Sequence, residues 1–229
     1  MTMRSIIIGS SGGIGNAFLQ ALYARHGAES VIGLARTSGE IDLTNEASIA
    51  AAAARCAQGP SPDLVIVATG LLHDAAGGPE KSLRELDPDR LAQAFAINVI
   101  GPALVAKHFL PLFARDKRCV FAALSARVGS ISDNRIGGWY GYRAAKAALN
   151  MTIRNLAIEW GRTHKQGICV GLHPGTVDTA LSKPFQKNVA PERLFTADYA
   201  AARMLDVVDG LSPADSGKCF AWDGAEIQP

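Results

Sequence analysis

The sequence predicts a single-domain α/β fold, in which helices cover both faces of a doubly wound parallel sheet. A length of 229 residues fits one such domain. Short β-branched or apolar runs recur along the chain, and the stretches between them are long enough to hold helices. Strands buried on both faces of a parallel sheet are expected to be apolar in this way. The runs span residues 5–9, 30–34, 64–68, 119–124, 168–172 and 218–222.

Helical patterns fill the gaps between these runs. Residues 14–26 have an apolar residue at every fourth position, which predicts the first helix. Asp87-Pro88 predicts another helix start, because Asp is a good N-cap and proline is tolerated at the first helical position. Thr196 is a further candidate N-cap. The helical stretch 88–113 contains Gly101-Pro102, so we expect a kink or a break there.

Composition argues against several classes of protein. The formal net charge is +2, and the Lys and Arg residues are scattered, so neither a nucleic-acid partner nor a membrane surface is expected. The apolar run at residues 6–8 is too short for a signal-peptide core, and no stretch is expected to reach membrane-spanning length. Four widely spaced cysteines indicate reduced, buried thiols and a cytoplasmic protein. No histidine has partners at metal-ligand spacing, so no metal is expected.

A glycine-rich turn joins the first predicted strand to the first predicted helix. It reads Gly9-Ser10-Ser11-Gly12-Gly13-Ile14-Gly15. Glycines let the backbone turn sharply and approach a pyrophosphate closely, and the free N–H groups of a helix start bind anions. The spacing departs from G-x-G-x-x-G, and a tight turn without a ligand is the alternative. The candidate cofactor-binding residues are Gly9, Ser11, Gly13, Ile14 and Gly15.

Arg36, at the end of the second predicted strand, is the candidate reader of the adenosine ribose. It follows Gly15 by 21 positions, and no Asp or Glu lies between Ala35 and Ser38. In dinucleotide-binding folds an acidic residue roughly 20 positions on binds the ribose 2′-hydroxyl, whereas an Arg accommodates a 2′-phosphate. The sequence therefore favours NADP(H) over NAD(H). A solvated surface arginine is the alternative.

Tyr142 and Lys146 form the candidate catalytic pair. They lie four residues apart in a helical pattern that ends near His164, so both fall on one face of a helix. An unperturbed phenol, with a pKa of about 10, is a weak acid–base group at neutral pH, but a nearby cation favours its ionised form. Such a tyrosine could protonate a carbonyl oxygen while hydride arrives at the carbon. The alternative is a chance pair on a solvated face.

Five segments, in order along the chain, carry a family resemblance. They are the glycine turn, Ala68-Thr69-Gly70, Ile97-Asn98-Val99, Tyr142 to Lys146, and Pro174-Gly175-Thr176-Val177-Asp178-Thr179. In this order they resemble the short-chain dehydrogenase/reductase family over essentially the whole chain. The Arg127-Val128-Gly129-Ser130-Ile131 stretch, with Asp133-Asn134 and Gly137-Gly138, is similar to the C-factor/sniffer-like carbonyl reductase branch.

The resemblance implies a fold, a cofactor, a substrate class and an assembly. The implied fold is a Rossmann-type sheet of seven parallel strands, and the implied cofactor is NADP(H). The substrate would be a small carbonyl or alcohol. The chain would form a homodimer or homotetramer packed through the helices at 88–113 and 142–164. The implied cofactor contacts are Asp42 and Leu43 at the adenine, Val177 and Thr179 at the nicotinamide amide, and Ala68, Thr69, Gly70, Pro174 and Gly175.

The resemblance also implies catalytic roles. Asn98 matches an asparagine that kinks a helix and holds a water linking Lys146 to solvent, although alone it could be a helix cap. Lys146 matches the residue that binds the nicotinamide ribose and lowers the pKa of Tyr142. Tyr142 matches the general acid in reduction and the base in oxidation.

The catalytic serine of the family has no clear counterpart. It usually stands three residues before a glycine, and counting back from Gly129 reaches Ala126. Counting from Tyr142 reaches Gly129, next to Ser130. We assign the role to Ser125, which ends the strand whose edge faces the cofactor, and keep Ser130 or neither as alternatives.

The favoured function is an NADPH-dependent carbonyl reductase. An alcohol dehydrogenase or a reductase of acyl-carrier-bound ketones is an alternative of the same class. A nucleotide-binding signalling or regulatory protein with little turnover is an alternative of another class, which Ala126 favours. The irregular segment 181–194 is either a lid over the substrate or an ordinary surface loop.

Overall fold

Strands and helices alternate along most of the chain, as expected from the apolar runs. The computed structural model describes residues 3–74 and 77–229. Its strands are β1 (Ser5–Ile8), β2 (Val31–Leu34), β3 (Leu64–Val67), β4 (Cys119–Leu124), β5 (Gly167–His173), β6 (Thr176–Val177), β7 (Leu194–Phe195), β8 (Cys219–Ala221) and β9 (Glu226–Ile227). Its α-helices are α1 (Gly13–His26), α2 (Glu46–Cys56), α3 (Pro88–Phe95), α4 (Gly101–Phe109), α5 (Tyr140–Trp160) and α6 (Ala197–Gly210).

The central sheet has seven strands in the order β2-β1-β3-β4-β5-β8-β9. Neighbours from β2 to β8 pair in parallel, but β9 pairs with β8 in the antiparallel sense. The expectation of seven parallel strands was therefore wrong at this edge. Gly224, with φ of 85°, turns the chain straight back after β8, and the Ala221 N–H donates to the Ala225 carbonyl at 2.8 Å.

Both faces of the sheet are buried, which makes the fold doubly wound. Ile6 and Ile8 of β1 belong to the core formed with α2, α4 and α5, whereas Ile7 belongs to the core formed with α1 and α6. This division follows from strand geometry, because successive side chains point to opposite faces. Parallel strands also end at one edge of the sheet, so the segments that follow β1, β3, β4 and β5 meet there.

The long helical stretch at 88–113 is interrupted by a π-helical turn. Asp87 caps α3 by accepting from the Arg90 N–H, as expected. The π-turn spans Ala96–Ile100, so the irregularity lies just before Gly101-Pro102 and not at it. In a regular helix, residue 102 would donate its N–H to the carbonyl of Asn98, and proline has none to give. The turn at Asn98 accommodates this missing bond.

The same stretch corrects one expectation from composition. Pro88–Leu112 is a continuous helical stretch of 25 residues, and its most apolar window has a mean hydropathy of 1.4. By length and composition alone it could cross a membrane, contrary to the sequence-based expectation. Val105, Ala106 and Phe109 are fully buried against the sheet, as in the core helix of a globular fold.

All four cysteines are free and buried, as expected. Burial raises the pKa of each thiol, to about 12 for Cys119 and about 11 for Cys219. The thiols are therefore protonated at neutral pH and pack as small apolar groups.

Candidate active site

The glycine turn packs so closely that side chains would not fit at its glycines. A Cβ on Gly15 would lie 2.1 Å from the Gly9 carbonyl oxygen, and a Cβ on Gly9 would lie 2.8 Å from Cγ2 of Thr69. A Cβ on Gly13 would lie 2.7 Å from Cγ2 of Thr179. The turn therefore brings the start of α1 against the segments that follow β3 and β5, and it leaves the helix N-terminus open to an anion.

A cavity of about 330 Å³ lies beside this turn. It brings together many of the residues that the sequence indicated as cofactor-binding, namely Gly9, Ser11, Arg36, Asp42, Leu43, Ala68, Thr69 and Gly70. Sequence reasoning missed Gly12, Thr37 and Ile97, which also line the cavity and directly adjoin assigned residues. Oγ1 of Thr69 is buried, and it has no hydrogen-bond partner among the residues that the structure describes. The open cavity and this unpaired hydroxyl fit a polar ligand.

Arg36 lies at the rim of the cavity with its side chain exposed. No hydrogen bond or salt bridge of its guanidinium is found within residues 3–74 and 77–229, although its charge acts on Asp42. Hydrogen bonds from the Thr44 N–H and hydroxyl, with a smaller effect of Arg36, hold the pKa of Asp42 below its usual value. The Thr44 N–H and hydroxyl both donate to Oδ1 of Asp42, at 2.9 and 2.7 Å. The exposed guanidinium of Arg36 is available to an incoming anion.

Tyr142 and Lys146 lie one turn apart on α5, as the spacing predicts. The Lys146 ammonium is 5.6 Å from the centroid of the Tyr142 ring and donates to the Leu124 carbonyl at 2.8 Å. Burial raises the pKa of Tyr142 to about 12 and lowers the pKa of Lys146 to about 8. The expected lowering of the Tyr142 pKa by Lys146 is therefore absent in the cofactor-free chain, where burial dominates.

Asn98 is fully buried and ties the π-turn to the segment after β3. Its Nδ2 donates to the carbonyls of Ala94 at 3.0 Å and Leu71 at 2.9 Å, and its Oδ1 accepts from the Leu71 N–H at 3.1 Å. Gly70 lies between Asn98 and Lys146: a Cβ there would be 3.5 Å from Asn98 Oδ1 and 3.9 Å from Lys146 Nζ. The side chain of Asn98 thus holds the backbone next to Lys146.

The serine candidates are engaged in other contacts. Ser125 lies two residues after Ala123 and therefore on the same face of the sheet, the one that packs against α5. Its hydroxyl donates to Oδ1 of Asn150 at 2.6 Å. Asn150 lies about two helical turns beyond Tyr142. Oγ of Ser130 accepts from the Asp133 N–H at 3.1 Å, and the intervening Ala126 has no hydroxyl. The catalytic assignment of Ser125 stays a prediction, with its hydroxyl committed to Asn150 in this state.

The segment after β5 contains the remaining cofactor candidates. Pro174 leads into Gly175, whose φ is 77°, and a Cβ there would lie 2.7 Å from the Phe195 ring. Val177 is 3% exposed, its side chain packs in the core, and its backbone pairs with Phe195 of β7. Thr179 lies against Gly13, and Ile14 is half-buried and packs against the core. The lining of the cavity does not include these three predicted cofactor residues.

The segment at 181–194 is more ordered than its sequence indicates. It contains 3₁₀-helices at Lys183–Asn188 and Pro191–Arg193. Phe185 packs on Trp139 at 5.2 Å and on His73 at 5.8 Å between ring centroids, and Trp139 contacts the Tyr142 ring at 6.3 Å. Through Phe185, this segment contacts the ring that lies next to Tyr142.

Within the described ranges, 3–74 and 77–229, no group of three His, Cys, Asp or Glu residues is arranged to hold a metal ion. The chemical features at the carboxyl ends of the parallel strands are therefore the acid–base groups of Tyr142 and Lys146 and the cavity beside the glycine turn.

Known proteins resemble the chain in sequence and in structure. The family model described as enoyl-(acyl carrier protein) reductase matches residues 13–209. C-signal of Myxococcus xanthus is 35% identical over 147 residues, which cover 64% of this chain and 82% of C-signal. The 1-hydroxy-2-glutathionyl-2-methyl-3-butene dehydrogenase of Rhodococcus sp. strain AD45 is 30% identical over 238 residues, which cover 97% of this chain and 98% of that relative. The NADPH-bound carbonyl reductase from chicken fatty liver superposes with a TM-score of 0.82 at 24% identity, covering 100% of this chain and 99% of that chain.

A doubly wound sheet with a glycine-turn cavity and a Tyr/Lys pair at one edge defines a dinucleotide-binding oxidoreductase. The match to the family model covers most of the sequence, and the Rhodococcus relative aligns over nearly all of it. The chain belongs to the short-chain dehydrogenase/reductase family.

Proposed function

We propose that the protein is an NADPH-dependent carbonyl reductase, with Tyr142 as the proton donor. The observation that carries the proposal is the Tyr142 ring 5.6 Å from the buried Lys146 ammonium, which lies next to Gly70 in the wall of the glycine-turn cavity. The Rhodococcus relative is named a dehydrogenase and the chicken protein, which shares the fold, is named a carbonyl reductase, so both names are those of oxidoreductases.

The residues around the cavity fit NADPH. The N–H groups at the start of α1 would bind the pyrophosphate, and the exposed guanidinium of Arg36 would bind the 2′-phosphate through charge-assisted hydrogen bonds. The unpaired hydroxyl of Thr69 is available to the cofactor from the cavity wall. When bound, NADPH would supply the hydride for reduction.

Tyr142 is suited to give a proton and poorly suited to take one. With a pKa of about 12 in the cofactor-free chain, the phenol is protonated at neutral pH and can donate to a carbonyl oxygen. Oxidation of an alcohol needs the phenolate, which burial disfavours. The protonated phenol is the form that reduction of a carbonyl requires.

Lys146 and Asn98 support this step. The Lys146 ammonium would leave the Leu124 carbonyl to hold the nicotinamide ribose, and its charge would stabilise the phenolate that Tyr142 becomes when it gives up its proton. The Asn98 carbonyl, which has no helical donor at Pro102, would hold a water that links Lys146 to solvent. Both roles rest on the positions of these groups around Gly70.

A second function is favoured by the serine region. With Ala126 lacking a hydroxyl and the Ser125 hydroxyl bonded to Asn150, the carbonyl oxygen has Tyr142 as its donor and lacks a clear second one. A nucleotide-binding regulatory protein with little turnover is compatible with this arrangement. C-signal, by its name a signalling protein, is a relative over part of the chain.

One assay separates the two functions. Purified protein is mixed with NADPH or NADH and a panel of aldehydes and ketones, and the loss of cofactor absorbance is followed together with cofactor binding. A reductase consumes NADPH in preference to NADH. Tyr142→Phe should retain NADPH binding and lose about a hundredfold to ten-thousandfold in kcat, the usual contribution of a general acid.

The outcomes are distinct. Binding of NADPH without consumption by the wild type would support the regulatory function. Turnover by Tyr142→Phe near the wild-type rate would contradict the role of Tyr142.

A further inference from the structure

The helix that carries Tyr142 begins without a cap of its own. Trp139, the residue before α5, has a left-handed backbone with φ of 51°, and its side chain makes no capping hydrogen bond. The first turn of α5 contains no acidic residue. Because the first N–H groups of a helix lack intrahelical partners, a partly buried start needs acceptors from elsewhere.

Glu80 supplies these acceptors from a segment 61 residues away. Its backbone carbonyl accepts from the Trp139 N–H at 2.5 Å, and its carboxylate Oε2 accepts from the Gly141 N–H at 3.1 Å. The Glu80 side chain is only 4% exposed. A buried carboxylate is costly unless it is well partnered, and the positive end of a helix is a favourable place for it.

Gly141 leaves the space that this carboxylate occupies. A Cβ on Gly141 would lie 3.1 Å from Oε1 of Glu80 and 3.1 Å from Cδ2 of Leu91. At Gly141 the first turn of α5 therefore packs tightly against both the Glu80 carboxylate and α3. Glu80 and Tyr142 also line the same small cavity, so the carboxylate reaches the side of the helix start where the phenol lies.

We propose that Glu80 is a positioning residue for Tyr142. Its carboxylate and carbonyl fix the residues on either side of Tyr140, and so set the place of the phenol that follows in the same turn. This inference rests on the proposed role of Tyr142 as the proton donor. It concerns where the phenol stands and assigns no contact between Glu80 and the substrate.

The test compares three variants and a matched control. Glu80→Ala removes the side-chain acceptor. Glu80→Gln keeps an oxygen that can accept from Gly141, and Gly141→Ala keeps Glu80 but pushes its carboxylate aside. Glu85→Gln is the control, because Glu85 is an exposed carboxylate that accepts from Lys81 and Ser82 on the same segment. Each variant is measured for kcat, KM, NADPH affinity and thermal unfolding.

We expect Glu80→Ala to lower kcat by about ten- to hundredfold, because a misplacement of about 1 Å can cost about a hundredfold. Gly141→Ala should lower kcat by a smaller factor, because a Cβ at 3.1 Å from Oε1 displaces the carboxylate only slightly. NADPH affinity should be unchanged. Glu80→Gln should recover most of the lost kcat, and Glu85→Gln should match the wild type. Adding Glu80→Ala to Tyr142→Phe should cause no further loss, because both changes act on one group.

The results separate this inference from the proposed function. Near wild-type kcat in Glu80→Ala and Gly141→Ala, with Tyr142→Phe inactive, would overturn the role of Glu80 alone. Full activity of Tyr142→Phe would overturn both. If Glu80→Ala does not fold, the test is the comparison of Gly141→Ala with Glu80→Gln. Two folded variants with the same kcat would contradict the proposal.

Discussion

Burial moves the pKa values of Tyr142 and Lys146 in opposite directions. Removal from water disfavours the charged form of each group, so the phenol pKa rises to about 12 and the ammonium pKa falls to about 8. At neutral pH, Tyr142 is then a neutral proton donor and Lys146 still carries its charge. The two groups are therefore poised for reduction over a limited range of pH.

This range gives a pH prediction. We expect kcat/KM for NADPH-dependent reduction to fall as the pH rises through about 8, because Lys146 then loses the charge that would hold the cofactor. The quantity to measure is kcat/KM for NADPH, because its pH profile reports groups of the enzyme before NADPH binds, and Lys146 is one of them. Lys146→Met should have a low kcat/KM with no fall near that pH. A fall that persists unchanged in Lys146→Met would belong to another group.

The lowered pKa of Lys146 also affects folding stability, which it raises over a range of pH where kcat/KM is expected to fall. Between pH about 8 and 10.5, the unfolded chain keeps the Lys146 proton that the folded chain has lost. The unfolded state then binds more protons, so the contribution of Lys146 to the free energy of unfolding rises with pH in this window. Denaturant titrations of the wild type and Lys146→Met across the window would detect the difference.

Some site residues could be predicted from the sequence and others could not. Gly9, Arg36 and Tyr142 occupy positions fixed by local spacing, and the structure places them around one edge of the sheet. Glu80 was missed because its partner Gly141 is 61 residues away, and no local pattern signals such a contact. The direction of the Ser125 side chain also depends on tertiary packing, since Asn150 comes from another element.

At the scale of elements, strands long enough to form apolar runs were predicted well. β4 spans Cys119–Leu124 as expected, and the other predicted strands agree to within about one residue at each end. β9 was missed because two residues cannot form a recognisable run. The π-turn at Ala96–Ile100 was displaced from the expected site at Gly101-Pro102, because the missing proline N–H acts on the preceding turn.

The segment at 181–194 is predicted to close when ligands bind. Phe185 is its anchor on Trp139 and His73, next to Tyr142. We expect amide hydrogen exchange in this segment to slow when NADPH and a carbonyl substrate bind together, because closure would bury its backbone. Phe185→Ala should raise the KM for the carbonyl and leave NADPH affinity unchanged.

A control for this prediction is Tyr199→Ala. It truncates an aromatic ring on α6 that contacts Phe195 and Trp222 instead of the anchor. Its KM for the carbonyl should match that of the wild type. Equal exchange of residues 181–194 in the free and ternary states would identify the segment as a plain surface loop.

At the scale of the whole molecule, the sheet explains why distant segments form one site. Parallel strands end at a common edge, so the glycine turn after β1, the Ala68-Thr69-Gly70 segment after β3 and the Thr179 segment after β5 converge there. α5 packs beside this edge and adds Tyr142 and Lys146. The opposite side of α5, away from the sheet, takes no part in the site.

That outer surface leads to the last prediction, which concerns assembly. Met151 and Ile158 are 62% and 50% exposed and lie seven residues apart on α5, so they share one helix face. Ile100, at the start of the neighbouring α4, is 52% exposed. Exposed apolar side chains of this size favour association, since burying each would contribute about 1.5–3 kcal/mol.

We therefore expect the protein to form a homodimer or homotetramer through α4 and α5. Introducing charges at the contact with Met151→Glu and Ile158→Glu together should shift the species in sedimentation or light scattering to the 24.1 kDa monomer. Leu83→Glu, at another apolar residue that is 68% exposed, is the control and should leave the assembly unchanged. A wild-type protein that is monomeric at high concentration, or a double variant that still associates, would show that this helix face is not the interface.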